Sequence, residues 1–153
     1  MKVKDIMTTD VRTCAPDTTV AEAAQLMWEG DCGFLPVVDE GELVGVVTDR
    51  DMYIALATKN ERASLLRVGA VATTKLATCV AEDNVHQALA TMKKARVRRL
   101  PVVGYGGRLL GVLSVNDILL AARTDKGISN KAIVEVLQEI CSPHHPTPHI
   151  VAA

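Results

Sequence analysis

Aromatic residues and net charge are what this chain has least of. Tryptophan, tyrosine and phenylalanine make up 3 % of its 153 residues, too few for a platform that stacks the bases of a single strand. Its 17 basic and 18 acidic residues leave a formal net charge of −1, without the basic excess that a nucleic-acid or anionic-membrane binder needs. No apolar run approaches the roughly 20 residues of a membrane span. The start, Met1-Lys2-Val3-Lys4-Asp5, lacks the apolar region of a signal peptide. Cys14, Cys32, Cys79 and Cys141 have no metal or redox spacing, so reduced thiols in a cytoplasmic protein are expected. A nucleophile–base pair and a Gly-rich phosphate loop are missing as well, which speaks against an enzyme.

What is present is a repeat. Gly45-Val46-Val47-Thr48-Asp49-Arg50-Asp51 returns as Gly111-Val112-Leu113-Ser114-Val115-Asn116-Asp117, and Pro36-Val37-Val38 returns as Pro101-Val102-Val103. An offset of 65 residues carries Val3 to Val68, Cys14 to Cys79 and Met27 to Met92; the extra glycine in Gly106-Gly107 makes it 66 from Leu43 and Leu109 onward. Each copy is about 55 residues, too small to bury much core alone, whereas two packed together reach the size of an ordinary domain.

Each copy reads β-α-β-β-α, an α/β (α+β) fold. A short strand is expected around Val11-Arg12-Thr13-Cys14, broken by Pro16-Asp17-Thr18. Thr19 with Glu22, and Asn84 with Gln87, have capping-box spacing. Val20, Ala23, Ala24 and Met27, like Val85, Ala88, Leu89 and Met92, follow the spacing of one buried helical face. Leu35 to Val38, a turn at Asp39-Glu40-Gly41-Glu42 and Leu43 to Val47 form a hairpin, followed by a helix from Asp51 to about Thr58. Trp28 is read as helix packing rather than a base-stacking platform. The boundaries are 1–58 for the first repeat, 59–67 for a linker, 68–124 for the second, 125–141 for a C-terminal helix and 142–153 for a flexible tail. That helix is capped by Ser129, and its stripe of Ile133, Val136, Leu137 and Ile140 should dock on the module or on another chain. The tail holds three of the four histidines between prolines, a composition of disorder more than of a metal site.

The two copies together, residues 3–121, resemble a tandem pair of cystathionine-β-synthase (CBS) domains, often called a Bateman module. The resemblance rests on Leu35-Pro36-Val37-Val38, the turn, Gly45 to Asp51, and the recurrence of the whole set with matching helices. It implies two clefts related by a pseudo-twofold axis that take adenosine compounds: AMP, ADP or ATP, with NAD and S-adenosylmethionine as further candidates. It also implies a homodimer that regulates an unidentified protein partner. Carried onto this sequence, Asp51 and Asp117 accept hydrogen bonds from ribose hydroxyls, and Thr48 and Ser114 lie near ribose or phosphate. A carboxylate is an acceptor only, so one aspartate can take both protons of a ribose diol.

Thr48-x-x-Asp51 and Ser114-x-x-Asp117 are equally plain helix caps, and the two roles are compatible. The copies differ most before the repeated proline, Pro36 or Pro101: Trp28 to Phe34 carries Glu29 and Asp31, where the second copy has Lys94 and Arg96. Lys93 and Lys94 read as a solvated helix end. Arg98 and Arg99, entering the strand beside the cleft, are candidate phosphate contacts through the fixed fork of the guanidinium. Arg50 is a further candidate. Two unequal clefts are expected, the arginine-bearing side favouring a charged nucleotide. A structural dimerising module with empty clefts is the alternative.

Overall fold

Thr19 opens the first helix as the expected box: its hydroxyl accepts the Glu22 N–H (3.2 Å), and the Glu22 carboxylate accepts the Thr19 N–H (2.8 Å). The structure, a computed structural model, describes residues 1–125 and 127–143. In the first repeat α1 (Val20–Glu29) leads to the hairpin β1 (Phe34–Asp39) and β2 (Glu42–Thr48), then α2 (Asp49–Lys59). In the second, β3 (Cys79–Val80) precedes α3 (Val85–Ala95), β4 (Arg99–Val103), β5 (Leu109–Ser114) and α4 (Val115–Ala121). α5 (Asn130–Cys141) ends the described chain. Glu40 and Gly41 take positive φ (48° and 88°) at the first reversal, as a tight hairpin turn requires.

The repeats differ at the first strand. β3 runs parallel to β4 through Cys79↔Val102 and Val80↔Val103, whereas in the first repeat only Cys14 pairs, in a single parallel bridge with Val37. The strand expected over residues 11–14 therefore shrinks to one residue. Pro16 stands where the second repeat has Ala81, and without an N–H it cannot extend the pairing.

Each repeat completes its core with the other's leading segment. Val3, fully buried, packs among Val85, Ala88 and Leu113 of the second repeat, and Val68, equally buried, among Val20, Ala23 and Val47 of the first. The exchange is reciprocal in hydrogen bonds. Thr8 and Val112 trade N–H···O bonds of 3.0 and 2.9 Å, and Thr73 and Val46 trade bonds of 2.9 and 3.0 Å. Burying a valine this way contributes about 1.5–3 kcal/mol, so each repeat borrows part of its stability from its twin.

α5 packs on α3 and, less extensively, on α4, burying Ile133 and Val136 with Leu137 and Ile140 half-covered beside them. This asymmetry corrects two helix readings. Leu89 on α3 is buried, yet its counterpart Ala24 on α1 is exposed, because among the described residues no helix covers the first repeat there. Trp28, one turn beyond Ala24, is 86 % exposed and packs into no core. The readings placed on the tail beyond Pro143 fall outside the described residues.

Candidate nucleotide clefts

Both strand-to-helix turns are built alike. The hydroxyl of Thr48 donates to Asp51 Oδ2 (2.7 Å), the Thr48 N–H donates to the same oxygen (3.1 Å), and the Asp51 N–H donates back to Thr48 Oγ1 (3.1 Å). At Ser114 and Asp117 the same bonds measure 2.6, 2.7 and 3.2 Å. Capping thus uses one carboxylate oxygen in each. Among the described residues no hydrogen bond reaches Oδ1 of either aspartate. A caps-only role and a ligand role need not compete for the same lone pairs.

The crossing of the leading segments places each turn opposite the other repeat. Thr48 and Asp51 look onto Thr73, Lys75 and the entry to β4, across a cleft of about 1200 Å³. Ser114 and Asp117 look onto Thr8, Asp10 and the entry to β1, across about 530 Å³. Sequence position by position the clefts are counterparts, Thr73 answering Thr8 and Lys75 answering Asp10. Of the candidate residues, Thr48, Arg50, Asp51, Arg98 and Arg99 come together in the larger cleft. Ser114 and Asp117 lie in the smaller one, which Arg99 also lines.

Their electrostatics differ. Six basic side chains (Arg50, Lys75, Lys94, Arg96, Arg98 and Arg99) and two acidic ones, Asp49 and Asp51, line the larger cleft. Arg12 and Arg99 face Asp10 and Asp117 in the smaller, and Arg12 is further engaged by Glu29 at 3.3 Å. One is a basic cleft and the other a neutral one. Lys93 and Lys94 are exposed in the last turn of α3, the solvated helix end expected; Lys94 also lines the basic cleft, and Lys93 points to Glu135 of α5 at 3.9 Å. Lys75 and Arg96 were missed as cleft residues. The signal for Lys75 was available, because it replaces Asp10 at the repeat offset, another acid-for-base exchange.

Two β-α-β-β-α repeats that swap leading segments and enclose a pair of pseudo-equivalent clefts define a tandem-repeat module. The profile of the CBS domain matches residues 3–58 and 68–124, and the chain belongs to the CBS domain family as a tandem pair, a Bateman module. It is 38 % identical over 116 residues to the CBS domain-containing protein YhcV of Bacillus subtilis, covering 76 % of this chain and 81 % of that one. Over 145 residues it is 34 % identical to inosine-5'-monophosphate dehydrogenase of Methanocaldococcus jannaschii, spanning 94 % of this chain but only 28 % of the dehydrogenase. Among solved structures, the CBS domain pair of MJ0100 in complex with 5'-methylthioadenosine and S-adenosyl-L-methionine superposes with a TM-score of 0.72 at 28 % identity, covering 81 % of this chain and 98 % of that one. CBSX2 in complex with AMP gives 0.71 at 29 % identity, with coverages of 82 % and 98 %.

Proposed function

We propose that this chain is a nucleotide sensor whose basic cleft takes an adenine nucleotide, with ADP and ATP preferred over AMP, and which passes occupancy to a protein partner. The observation that carries the reading is the six basic side chains gathered around a cleft that also offers Asp51. In this reading Asp51 Oδ1 accepts from the ribose hydroxyls, and Thr48 lies near the ribose. Arg50, Arg98 and Arg99 hold phosphate, each forked donor set matching phosphate oxygens. The neutral cleft, with balanced charge around Asp117, suits an adenosine compound of low negative charge, such as S-adenosylmethionine, better than a polyphosphate. The complexes of MJ0100 and CBSX2 with adenosine compounds support the ligand class. NAD belongs to the same class. The module binds without catalysing and acts in the cytoplasm.

A homodimer accompanies this reading, and exposed aromatics on the first repeat, Trp28 and Tyr53, favour an interface there. They equally favour the second reading, a dimerising scaffold with empty clefts.

Thermal unfolding against AMP, ADP, ATP, NAD, adenosine and S-adenosylmethionine separates the two. A ligand at about 100 times its dissociation constant adds roughly 2.7 kcal/mol. ATP should raise Tm in wild type and in Asp117→Ala but not in Asp51→Ala. No shift with any of these ligands would leave the scaffold.

A further inference from the structure

The end of α5 is built into the wall of the basic cleft, where Ile140 and Arg96 both line the cavity. Arg96 is the C-cap of α3, in the left-handed region at φ 55°. From there its Nε and Nη2 donate to the Glu139 carbonyl (3.2 and 3.0 Å), and Nη2 donates to the Ser142 carbonyl (2.9 Å). The Glu139 carboxylate adds an ion pair with Nε at 3.6 Å. Among the described residues, Arg96 is the one basic residue of this cleft in an ion pair; Arg50, Lys75, Lys94, Arg98 and Arg99 have none. Carbonyls at a helix C-terminus carry partial negative charge, and here Glu139 reinforces it. The end of α5 thus stands in the place of an anion on the cleft's rim.

We propose that a polyphosphate in the basic cleft and the C-terminal end of α5 compete for Arg96, so that nucleotide binding loosens the last turns of the helix. This rests on the nucleotide reading of the cleft and names its output. A phosphate gains the Arg96 fork only if Glu139 and the two carbonyls give it up, and the Glu139 carboxylate opposes a phosphate left beside it. Loosening frees Leu137 and Ile140 from the second repeat's core, giving a partner an apolar stripe that the unliganded chain keeps covered. Coupling of this kind is reciprocal: the factor by which the nucleotide favours the loosened helix is the factor by which the loosened helix binds the nucleotide more tightly.

Hydrogen exchange of the full chain, read at the amides of residues 137–142, tests this with ATP and with inorganic tripolyphosphate. Saturating ATP should speed exchange there by about fivefold or more, and Glu139→Gln should tighten ATP by a similar factor. Arg96→Gln should exchange fast without ligand and gain nothing further from ATP. ATP that binds, by calorimetry on the same sample, yet leaves these amides unchanged or slower overturns the coupling and leaves the nucleotide reading standing. Tripolyphosphate that loosens the helix when ATP does not bind removes the nucleotide reading and keeps the coupling. Binding of neither removes both. Should Arg96→Gln not fold, Glu139→Gln decides, because unchanged ATP affinity in that variant also overturns the coupling.

Discussion

The guanidinium of Arg99 lies over the ring of Phe34, 5.9 Å from its centroid. These two residues are each other's counterparts, 65 positions apart, and they meet where the two clefts share a wall. The contact lies within the range of a cation–π interaction, and it holds the arginine's charge between the sites.

Arg99→Ala should therefore weaken ATP at the basic cleft about tenfold, the loss of one charge-assisted contact worth roughly 1.5 kcal/mol, while adenosine binding changes little. Arg99→Lys keeps the charge but not the fork and should fall between. Phe34→Ala removes only the platform, with an effect of about 0.5–1 kcal/mol. Isothermal titration with ATP and adenosine reads all three. Equal losses for both ligands in Arg99→Ala would place the arginine away from phosphate.

The swap of leading segments makes Gly111 the less replaceable of the two hairpin glycines. A Cβ on Gly111 would lie 2.5 Å from the Thr8 carbonyl oxygen, whereas one on Gly45 meets Ala72 and Thr73 at 3.3 Å. Thr8 is held by two backbone bonds to Val112, so the clash cannot relax without giving up the crossing. Gly111→Ala should cost about 1–3 kcal/mol, a fall in Tm of roughly 3–10 °C for a chain of this size, and Gly45→Ala about half as much or less. Calorimetric melting of both variants checks the order.

The same swap marks the limit of what the sequence made legible. Periodicity located Val20, Ala23 and Met27 on one face, and the hydroxyl–carboxylate spacing located both caps, because these are signals within one turn or one strand. Nothing local says whose core Val3 or Val68 will enter. That choice is made by pairing 65 residues and more away, such as the Val3 N–H donating to the Asp83 carbonyl. The exchange of Asp10 for Lys75 is visible at the repeat offset, but that Lys75 shares a cavity with Asp51 is not, since the two meet only once the segments cross. Ala24 shows a second limit. Its spacing matches that of Leu89, and the difference between them is the helix α5 docked over one and not the other. The small residue at 24 against leucine at 89 was the trace of it in the sequence.

The four cysteines are free thiols, and they should separate by reactivity. Burial pushes Cys14 up to about 11 and Cys79 up to about 12, leaving almost no thiolate at neutral pH, whereas Cys141 is exposed. Maleimide at pH 7 followed by mass spectrometry should modify Cys141 first and Cys14 and Cys79 only on unfolding. Labelling of Cys79 at the rate of Cys141 would mean that β3 opens freely in the folded chain.

Acid should loosen the first crossing through Glu82. Lys2 and Lys4 of the leading segment both donate to its carboxylate, Lys4 at 2.6 Å, and these hydrogen bonds hold it down at about 2 from an ordinary value of 4.5. A carboxyl depressed in the folded state contributes its full stabilisation above the unfolded value and loses it as pH falls through the folded one. Wild type should therefore exceed Glu82→Gln in Tm by a constant margin from pH 7 to about 5, and the margin should shrink from there and vanish near pH 2. Glu82 is exposed, so added salt should reduce the margin at pH 7 as well. A margin that persists at pH 2 would show that Glu82 acts by something other than its charge, and one that is missing at pH 7 in low salt would show that the leading segment is held by Val3 and its backbone bonds alone.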